Sequence, residues 1–488
     1  MIKNRTHIIL YGLVLLLLST FTSCKNSSDK NNNTSSKIES EASLSSSTYF
    51  STIKKRGVLN VATNYNTTNY FIYRGTPMGY HYDRVRRFAA SQNLKINIIP
   101  ENDIHKSFSL LKNNRVDLLA FDLTVSQKRK KIISFTDPIY QSTQVLIQRK
   151  PDNWRKISTY EKLEKKLLRN TLELAQETIY VQQNTSFESR LTNLMDEIGD
   201  TIFVKPSELS VEELIKLVNE KKIKYTVADE HVAKVNRRYY PNIDIKTPVS
   251  FPQNISWAVN KNSDSLRTVI NNWQASFDNS YYSNTLYNKY FKDPRMANYI
   301  KSNYHSLTGN NISKYDSIIK INAEKIGWDW RLFASMIYQE SNFSPKAKSW
   351  MGAYGLMQMM PKTMASYGID ASSSPQQQIE AGCKYILWLD KQFKDKIIDT
   401  DERKKYVLAA YNVGIAHIYD AMRLTIKYGG DPLVWDKNVS FYLRKKSQPK
   451  YYNDSVVYYG YARGEEPVNY VSEIFDRYQQ YRNIIEKK

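Results

Sequence analysis

The pattern of apolar residues changes near residue 310, and this change limits the folds open to the chain. Before it, segments 58–62, 95–100 and 116–120 have the composition of short strands and alternate with helical segments such as 83–90. After it, apolar residues recur at helical spacing. Strands that alternate with helices predict an α/β unit with mostly parallel sheets. A chain of 488 residues with this change of pattern therefore contains at least two domains of different class.

The predicted boundaries follow from the same change. We expect an α/β domain over residues 48–295, a turn-rich linker over 296–312 and a mainly α domain over 313–488. Two cysteines exclude a disulfide framework, and the six scattered histidines show no spacing typical of metal ligands. The sequence therefore predicts neither a metal nor a cofactor, and Cys383, inside a helical pattern, is expected to be a small core residue.

The N-terminus is typical of an export signal. Lys3 and Arg5 precede an apolar stretch at 8–18, which spans only about 16 Å as a helix and is too short for a bilayer. Small residues then lead to Cys24 in a pattern that resembles a bacterial lipobox, although Phe21 stands where leucine is usual. The alternatives are an uncleaved short anchor and plain cleavage near Ser23.

Lipidation of Cys24 predicts the location of the mature chain. We expect a signal peptide over residues 1–23 and a lipidated cysteine with a flexible Ser/Asn-rich tether over 24–47. The folded domains would then be held at the cell envelope, at the outer membrane facing the periplasm.

The charge of the chain indicates a polyanionic partner. Lys plus Arg number 70 against 48 Asp plus Glu, a formal net charge of +22, and removal of residues 1–23 leaves +20. Export and the lack of any matching module disfavour nucleic acid. Peptidoglycan offers an exported protein both carboxylates and sugar rings, and the 37 tyrosines suit stacking on such rings.

The order of elements in 48–295 resembles the family 3 extracellular solute-binding proteins, which bind amino acids between two lobes. The most specific stretches are DLLAFDLTVSQKR at 117–129 and FTDPIY at 135–140. The resemblance implies a two-lobed binding-protein-like fold with an amino-acid or muropeptide ligand, and a scaffold with a dead cleft is the alternative. The matching ligand-binding residues are Thr124, Arg129, Thr185, Ser186 and Asp229, with Arg129 on the ligand carboxylate and Asp229 on its α-ammonium. Asn184 stands where the family usually has glycine.

A carboxylate falls on an apolar helical stripe in the second domain. Asp329 is a plausible N-cap for a helix to about Ser341, and Leu332, Met336 and Glu340 share one face of it. Burial would raise the pKa of Glu340 and keep it protonated, as a general acid requires. A glutamate that reaches water at the end of the apolar face is the alternative.

The motifs that follow Glu340 resemble the lytic transglycosylase domain of the soluble-lytic-transglycosylase type, a lysozyme-like helical fold. They are the ES pair at 340–341, GLMQ at 355–358 and AYN at 410–412. The resemblance implies that Glu340 is the single catalytic acid/base and that Tyr411 brings its hydroxyl towards it. The implied substrate-binding residues are Ser341, Ser349, Gln358, Met360, Tyr411, Asn412 and Tyr470. The match at Tyr470 is weaker, because Pro467 replaces the usual threonine.

A single convincing carboxylate suits a lytic transglycosylase, because ordinary glycoside hydrolysis uses two. The expected reaction is non-hydrolytic cleavage between MurNAc and GlcNAc that yields 1,6-anhydroMurNAc. A binding-protein module followed by a catalytic module resembles the membrane-bound lytic murein transglycosylases. The alternatives are a muramidase, which would need a second carboxylate such as Asp370 or Glu380, and a non-catalytic wall-sensing lipoprotein.

Overall fold

The computed structural model describes residues 49–485 except 301, 308 and 310. The predicted signal peptide, Cys24 and the tether lie outside the described residues. None of the helices in the described part of the chain is both long and apolar enough to cross a bilayer.

Strands occur only in the first half of the described chain. They are β1 (Val58–Thr63), β2 (Phe71–Tyr73), β3 (Thr76–Met78), β4 (Lys95–Pro100), β5 (Leu118–Thr124), β6 (Ile133–Phe135), β7 (Tyr140–Ser142), β8 (Gln144–Arg149), β9 (Thr178–Gln182), β10 (Phe203–Ser207), β11 (Tyr225–Asp229), β12 (Ile243–Pro248) and β13 (Gln253–Asn260).

The α-helices fall into two groups on either side of residue 310. The first group is α1 (Tyr49–Arg56), α2 (Tyr80–Ser91), α3 (Ile104–Lys112), α4 (Gln127–Lys130), α5 (Tyr160–Glu164), α6 (Ser186–Ile198), α7 (Val211–Asn219), α8 (Glu230–Tyr239), α9 (Asp264–Asp278), α10 (Tyr281–Tyr287) and α11 (Arg295–Ile300). The second group is α12 (Asp316–Lys325), α13 (Trp330–Ser341), α14 (Pro361–Ser366), α15 (Pro375–Phe393), α16 (Thr400–Val413), α17 (Ile415–Lys427), α18 (Ser440–Lys445), α19 (Pro449–Tyr452) and α20 (Glu465–Ile485).

Two sheets form two lobes of the first domain. The first has the order β4-β1-β5-β13-β6, with β7 also paired to β13, and the second has the order β10-β9-β11-β8-β12. The prediction of mostly parallel sheets is wrong, because both sheets are mixed. Strands β4, β1 and β5 run parallel, but β13 is antiparallel to β5, and β8 is antiparallel to β11. The antiparallel strands β8 and β13 are those that carry the chain into the second lobe and back.

The helical domain packs directly on the first lobe. Tyr481 in α20 donates a hydrogen bond to the carbonyl of Gly75 (2.8 Å), and Asn483 donates to the carbonyl of Ile98 (2.8 Å). The hydroxyl of Tyr338 in α13 lies 2.8 Å from that of Thr76. A single cluster of buried apolar side chains includes residues of β1, β4, α13 and α20, so the two domains share one hydrophobic core.

Candidate active site and ligand cleft

Helix α13 ends at the carboxylate predicted to be catalytic. Asp329 caps its start by accepting a hydrogen bond from the backbone N–H of Arg331 (2.9 Å), and Leu332, Met336 and Ile337 are buried. The helix stops because Asn342 adopts a left-handed conformation with φ of 49°. The predicted helix and its cap are therefore confirmed, and Glu340 is left on the last turn of the apolar face.

Glu340 lies in an open cavity of about 680 Å³ in the helical domain. Tyr470, buried in α20, donates its hydroxyl hydrogen to Oε1 of Glu340. Burial raises the pKa of Glu340 to about 8, and the hydrogen bond from Tyr470 opposes part of that rise. Glu340 is therefore mostly protonated at neutral pH and has one hydroxyl placed to stabilise its carboxylate form.

The cavity collects most of the side chains that the motifs pointed to. The predicted residues that line it with Glu340 are Ser349, Gln358, Met360, Tyr411, Asn412 and Tyr470. Nε2 of Gln358 donates to the carbonyls of Ala347 (3.0 Å) and Gly355 (2.9 Å). These bonds use both amide hydrogens, so Oε1 of Gln358 is left as a hydrogen-bond acceptor for a ligand.

Tyr411 and Ser341 make contacts that differ from those of Tyr470. The hydroxyl of Tyr411 donates to the carbonyl of Met357 (2.8 Å), so the hydroxyl bonded to Glu340 belongs to Tyr470. Ser341 is buried and absent from the cavity wall, and its hydroxyl contacts the carbonyls of Leu356 (2.9 Å) and Ile337 (3.1 Å). Ser341 therefore ties the end of α13 to the GLMQ turn and does not line the cavity around Glu340.

The five residues predicted to bind a regulatory ligand line one small cavity between the lobes. This cavity has a volume of about 70 Å³, and Thr124, Arg129, Thr185, Ser186 and Asp229 all contribute to its wall. Nη1 of Arg129 donates to the carbonyl of Thr124 (3.0 Å), and burial lowers the pKa of Arg129 to about 10. Burial also raises the pKa of Asp229 to about 6. The cleft therefore presents the guanidinium of Arg129 and the desolvated carboxyl group of Asp229 to the same space.

Comparison with known proteins identifies both domains. The model of the bacterial extracellular solute-binding proteins, family 3, matches residues 59–293, and that of the transglycosylase SLT domain matches residues 317–432. The chain is 33% identical to the membrane-bound lytic murein transglycosylase F of Desulfosudis oleivorans, over 87% of this chain and 90% of that protein. It is 31% identical to the protein of the same name from Vibrio cholerae, over 89% of this chain and 81% of that protein.

The chain belongs to the membrane-bound lytic murein transglycosylase F family. The predicted enzyme class, a lytic transglycosylase, and the predicted two-domain fold class are therefore confirmed. Among solved structures, an ancestral amino acid-binding protein aligns with a TM-score of 0.41 at 21% identity, over 50% of this chain and 99% of that chain.

The sequence motifs did not predict the other residues that line the cavity around Glu340 in this transglycosylase. They are Gln339, Trp350, Met351, Ala353, Glu466, Asn469 and Glu473. Trp350 is 90% exposed, which is unusual for so large an aromatic side chain, and it directly follows Ser349. Helical periodicity could have found Glu473, which is one turn beyond Tyr470 in α20 and therefore on the same face.

The carboxylates considered for a hydrolase lie elsewhere in the helical domain. Asp370 caps its own turn by accepting from the backbone N–H of Ser372 (2.8 Å), and Glu380 accepts from Nε2 of Gln376 (3.0 Å). Neither lines the cavity around Glu340. Glu466 and Glu473 do line it, and both are exposed to solvent. Cys383 is buried and unpaired, as predicted, and burial raises the pKa of its thiol to about 12.

Proposed function

We propose that the protein cleaves the β-1,4 bond between MurNAc and GlcNAc of peptidoglycan without water, and that Glu340 is the single acid/base. The observation that carries the proposal is the environment of Glu340. Its carboxyl group is desolvated, its pKa is near 8, and its one hydrogen-bond partner among the described side chains is the hydroxyl of Tyr470. Such a group holds a proton at neutral pH and can release it to a bound substrate.

The first step uses the protonated form of Glu340. It gives its proton to the glycosidic oxygen, the bond from that oxygen to C1 of MurNAc breaks, and GlcNAc leaves as an alcohol. The N-acetyl oxygen of the same MurNAc stabilises the positive charge that develops at C1. The hydroxyl of Tyr470 stabilises the carboxylate that Glu340 becomes, because a hydrogen bond to an ionised acceptor is stronger than one to a neutral acceptor.

The second step uses the carboxylate form of Glu340. It takes the proton from the C6 hydroxyl of MurNAc while O6 attacks C1, and the 1,6-anhydro ring closes. Water is not consumed, and Glu340 regains its proton for the next turnover. The attack is intramolecular, and well-oriented intramolecular reactions reach effective molarities of about 10⁵ M or more.

The other cavity residues would hold the sugar in position. Gln358 donates both of its amide hydrogens to backbone carbonyls. Its Oε1 would therefore accept a hydrogen bond from a sugar N–H or hydroxyl. The hydroxyl of Ser349 accepts from the backbone N–H of Ala353 (2.9 Å) and keeps its own hydrogen for the substrate. Met360 and Asn412 would contact the sugar from the cavity wall, and Tyr411 would shape the wall through its bond to the Met357 carbonyl.

Mass spectrometry of the products tests this reaction. Purified peptidoglycan would be incubated with residues 25–488 and, in parallel, with the Glu340→Gln variant. We expect products that end in 1,6-anhydroMurNAc from the first and none from the second. Reducing-end products, heavier by one water, would overturn the non-hydrolytic mechanism. Glu473 would then be the second carboxylate to examine, because it lines the same cavity and accepts from Nε2 of Gln339 (2.7 Å).

The first domain would act as a sensor on an enzyme anchored to the outer membrane through Cys24. The name of its relatives, membrane-bound, and the export pattern of residues 1–24 support this location. The cleft would bind an amino acid or muropeptide, with Arg129 on the carboxylate and Asp229 on the α-ammonium. A ligand that favours the closed lobes could shift the catalytic domain only by its differential affinity for the two states.

Removal of the guanidinium tests the sensor. We expect Arg129→Ala to abolish ligand binding measured by calorimetry while the helical domain still cleaves peptidoglycan. Unchanged ligand affinity in this variant would refute the assignment of Arg129 to the ligand carboxylate.

A further inference from the structure

The cleft between the lobes is held closed by hydrogen bonds from one lobe to the other. Glu212 of α7 accepts from the backbone N–H of Thr67 (3.2 Å) and from its hydroxyl. Nε2 of Gln182 donates to the carbonyl of Asn102 (3.1 Å). The closed cavity of about 70 Å³ has room for roughly five water molecules, so it fits the head of an amino acid and not its whole side chain.

A second and larger cavity begins where the first one ends. It has a volume of about 770 Å³ and shares Asn102, Ser210 and Glu212 with the smaller cavity. Glu212 therefore lies on the wall of both spaces. A ligand whose α-carbon groups occupy the small cavity would have to extend its side chain past this carboxylate.

The positive charge available to a ligand in the small cavity comes from one side chain. Arg129 is the only lysine or arginine among its lining residues, and no carboxylate of the described chain lies within ion-pair distance of its guanidinium. One guanidinium can hold one ligand carboxylate through two parallel hydrogen bonds. A single α-carboxylate would therefore use the hydrogen bonds that the Arg129 guanidinium can donate into the cleft.

The hydrogen-bond acceptors of the cleft exceed what an ordinary α-ammonium requires. Asp229 is only 8% exposed, lines the cavity and accepts no hydrogen bond from the described residues. Oδ1 of Asn64 is buried on the same wall and also has no donor there. Glu212 has donors from Thr67 and from the side chain of Asn236 but no lysine or arginine in the described chain within ion-pair distance, and burial raises its pKa to about 7. If Asp229 receives the α-ammonium, Glu212 and Asn64 remain for another group.

Asp122, the third acidic residue of the cavity wall, already has protein partners, although its Oδ2 accepts no hydrogen bond from the described residues. Nε2 of His81 lies 2.8 Å from one of its oxygens and Nε2 of His231 lies 3.1 Å from the other, and Tyr140 donates to it as well. The indole N–H of Trp257 donates to Nδ1 of His81 (2.8 Å), so His81 is neutral with its hydrogen on Nε2. The charge of Asp122 raises the pKa of His231 despite its burial, so His231 is the protein group that can balance the charge of Asp122.

The larger cavity continues the acidic lining on a chain that is strongly basic overall. Its wall carries Glu101, Glu212 and Glu213 against Lys216 as the one lysine or arginine. The whole chain has 70 basic and 48 acidic residues, but the wall of this larger cavity has more acidic than basic side chains. The cavity therefore attracts cations locally.

We propose that the cleft selects an amino acid whose side chain carries a second positive charge, and that Glu212, assisted by Oδ1 of Asn64, receives that charge. Lysine and ornithine have this chemistry, as does any diamino acid within a wall peptide. The inference rests on the proposed ligand-binding function of the first domain. It adds the charge class of the ligand and the residue that reads it.

Calorimetry on residues 25–488 tests the proposal with four probes. L-lysine and L-ornithine carry the second charge, while L-norleucine and L-glutamine are neutral amino acids of similar length. We expect the cationic pair to bind at least tenfold more tightly than the neutral pair at pH 7. Glu212→Gln should weaken lysine binding by roughly tenfold to a hundredfold, as for loss of a charge-assisted hydrogen bond, and weaken norleucine binding at least tenfold less than that of lysine, because the amide oxygen of glutamine can still accept from Thr67. The neutral probe thus reports whether the variant cleft is intact.

Proton release provides a second readout of the same contact. A cation that binds to Glu212 favours its carboxylate form, so lysine binding near pH 7 should release protons. The binding heat would then vary more strongly with the ionisation enthalpy of the buffer in the wild type than in Glu212→Gln, in which Asp229 is left to release protons. A bound lysine with no buffer dependence in either protein would count against a contact with Glu212.

The outcomes separate this inference from the sensor function itself. Norleucine binding as tight as lysine, abolished by Arg129→Ala, would overturn the charge selectivity and leave the sensor in place. Lysine affinity unchanged by Glu212→Gln would overturn the role of Glu212. No binding of any probe to the wild type would overturn both.

Discussion

Replacement of Tyr470 by phenylalanine should move the basic limb of the pH–rate profile to higher pH. The hydroxyl of Tyr470 donates to the carboxylate of Glu340, and its loss destabilises the ionised form without adding a charge. A hydrogen bond to a charged acceptor contributes about 1.5–3 kcal/mol, and one pKa unit corresponds to about 1.36 kcal/mol. The pKa of Glu340, near 8 in the native protein, should therefore rise by about one to two units.

The sign of the change follows from the role of Glu340 as an acid. Activity is lost as the pH rises through its pKa, because the proton needed by the leaving oxygen is then absent. In Tyr470→Phe that loss should begin about one to two pH units higher, while the maximal rate falls because the carboxylate formed in the first step is less stable. The assay is the rate of anhydro-product formation between pH 5 and 10, followed by liquid chromatography with mass detection.

Tyr411→Phe is the matched control for this experiment. It removes a hydroxyl from the same cavity, but that hydroxyl donates to the carbonyl of Met357 and not to Glu340. Its basic limb should therefore stay where it is in the wild type. A limb that is unchanged in Tyr470→Phe, or that moves to lower pH, would refute the assignment of Glu340 as the acid under control of Tyr470.

Further predictions concern stability and substrate binding. Glu340→Gln should stabilise the fold by about 4 kcal/mol at pH 8 and by little below pH 4, because a native pKa raised from 4.5 to about 8 makes the wild type lose stability as the pH rises between those values. Equal urea midpoints for the variant and the wild type at pH 8 would contradict this. Gly75→Ala should cost about 1–3 kcal/mol, because a Cβ there would lie 2.8 Å from side-chain atoms of the helical domain and φ is +77°; an unchanged melting temperature would exclude the strain. Trp350→Ala should raise KM for glycan strands several-fold with kcat little changed, and a fall in kcat alone would show that this exposed ring acts on the reacting sugar. Glu473→Gln should leave the anhydro products unchanged, whereas their loss would indicate a second catalytic carboxylate.

Local patterns predicted the parts of the site that lie on one element. The cap at Asp329, the apolar stripe and Glu340 at its end all follow from helical spacing and are present in the structure. Ser341 shows the limit of a motif, because neighbours on a helix are rotated by about 100° from each other, and the hydroxyl of Ser341 contacts the Leu356 carbonyl and not the cavity. A local pattern gives neighbours along the chain and not the direction of each side chain.

Long-range contacts were beyond the reach of the sequence. Tyr470 reaches Glu340 from a helix that begins 125 positions later in the chain, and only packing of α20 against α13 reveals which tyrosine makes the bond. The mixed strand directions were missed for a similar reason. The sequences of β8 and β13 are typical of strands, but their antiparallel direction follows from the crossings of the chain between the lobes. Glu212 was not predicted because its significance depends on Thr67 in the other lobe.

The core shared by the two domains has a consequence for how such a protein can evolve. Gene fusion often joins modules that can later be lost or exchanged at the same junction. Here the helix that supplies Tyr470 to the reaction also donates from Tyr481 to Gly75 and from Asn483 to Ile98 of the first domain. Deletion of that domain would uncover apolar surface on the helix that completes the active site. A lineage that stopped using the sensor would therefore be expected to keep it as a scaffold, with the cleft free to drift in sequence while the contact surface stays under selection.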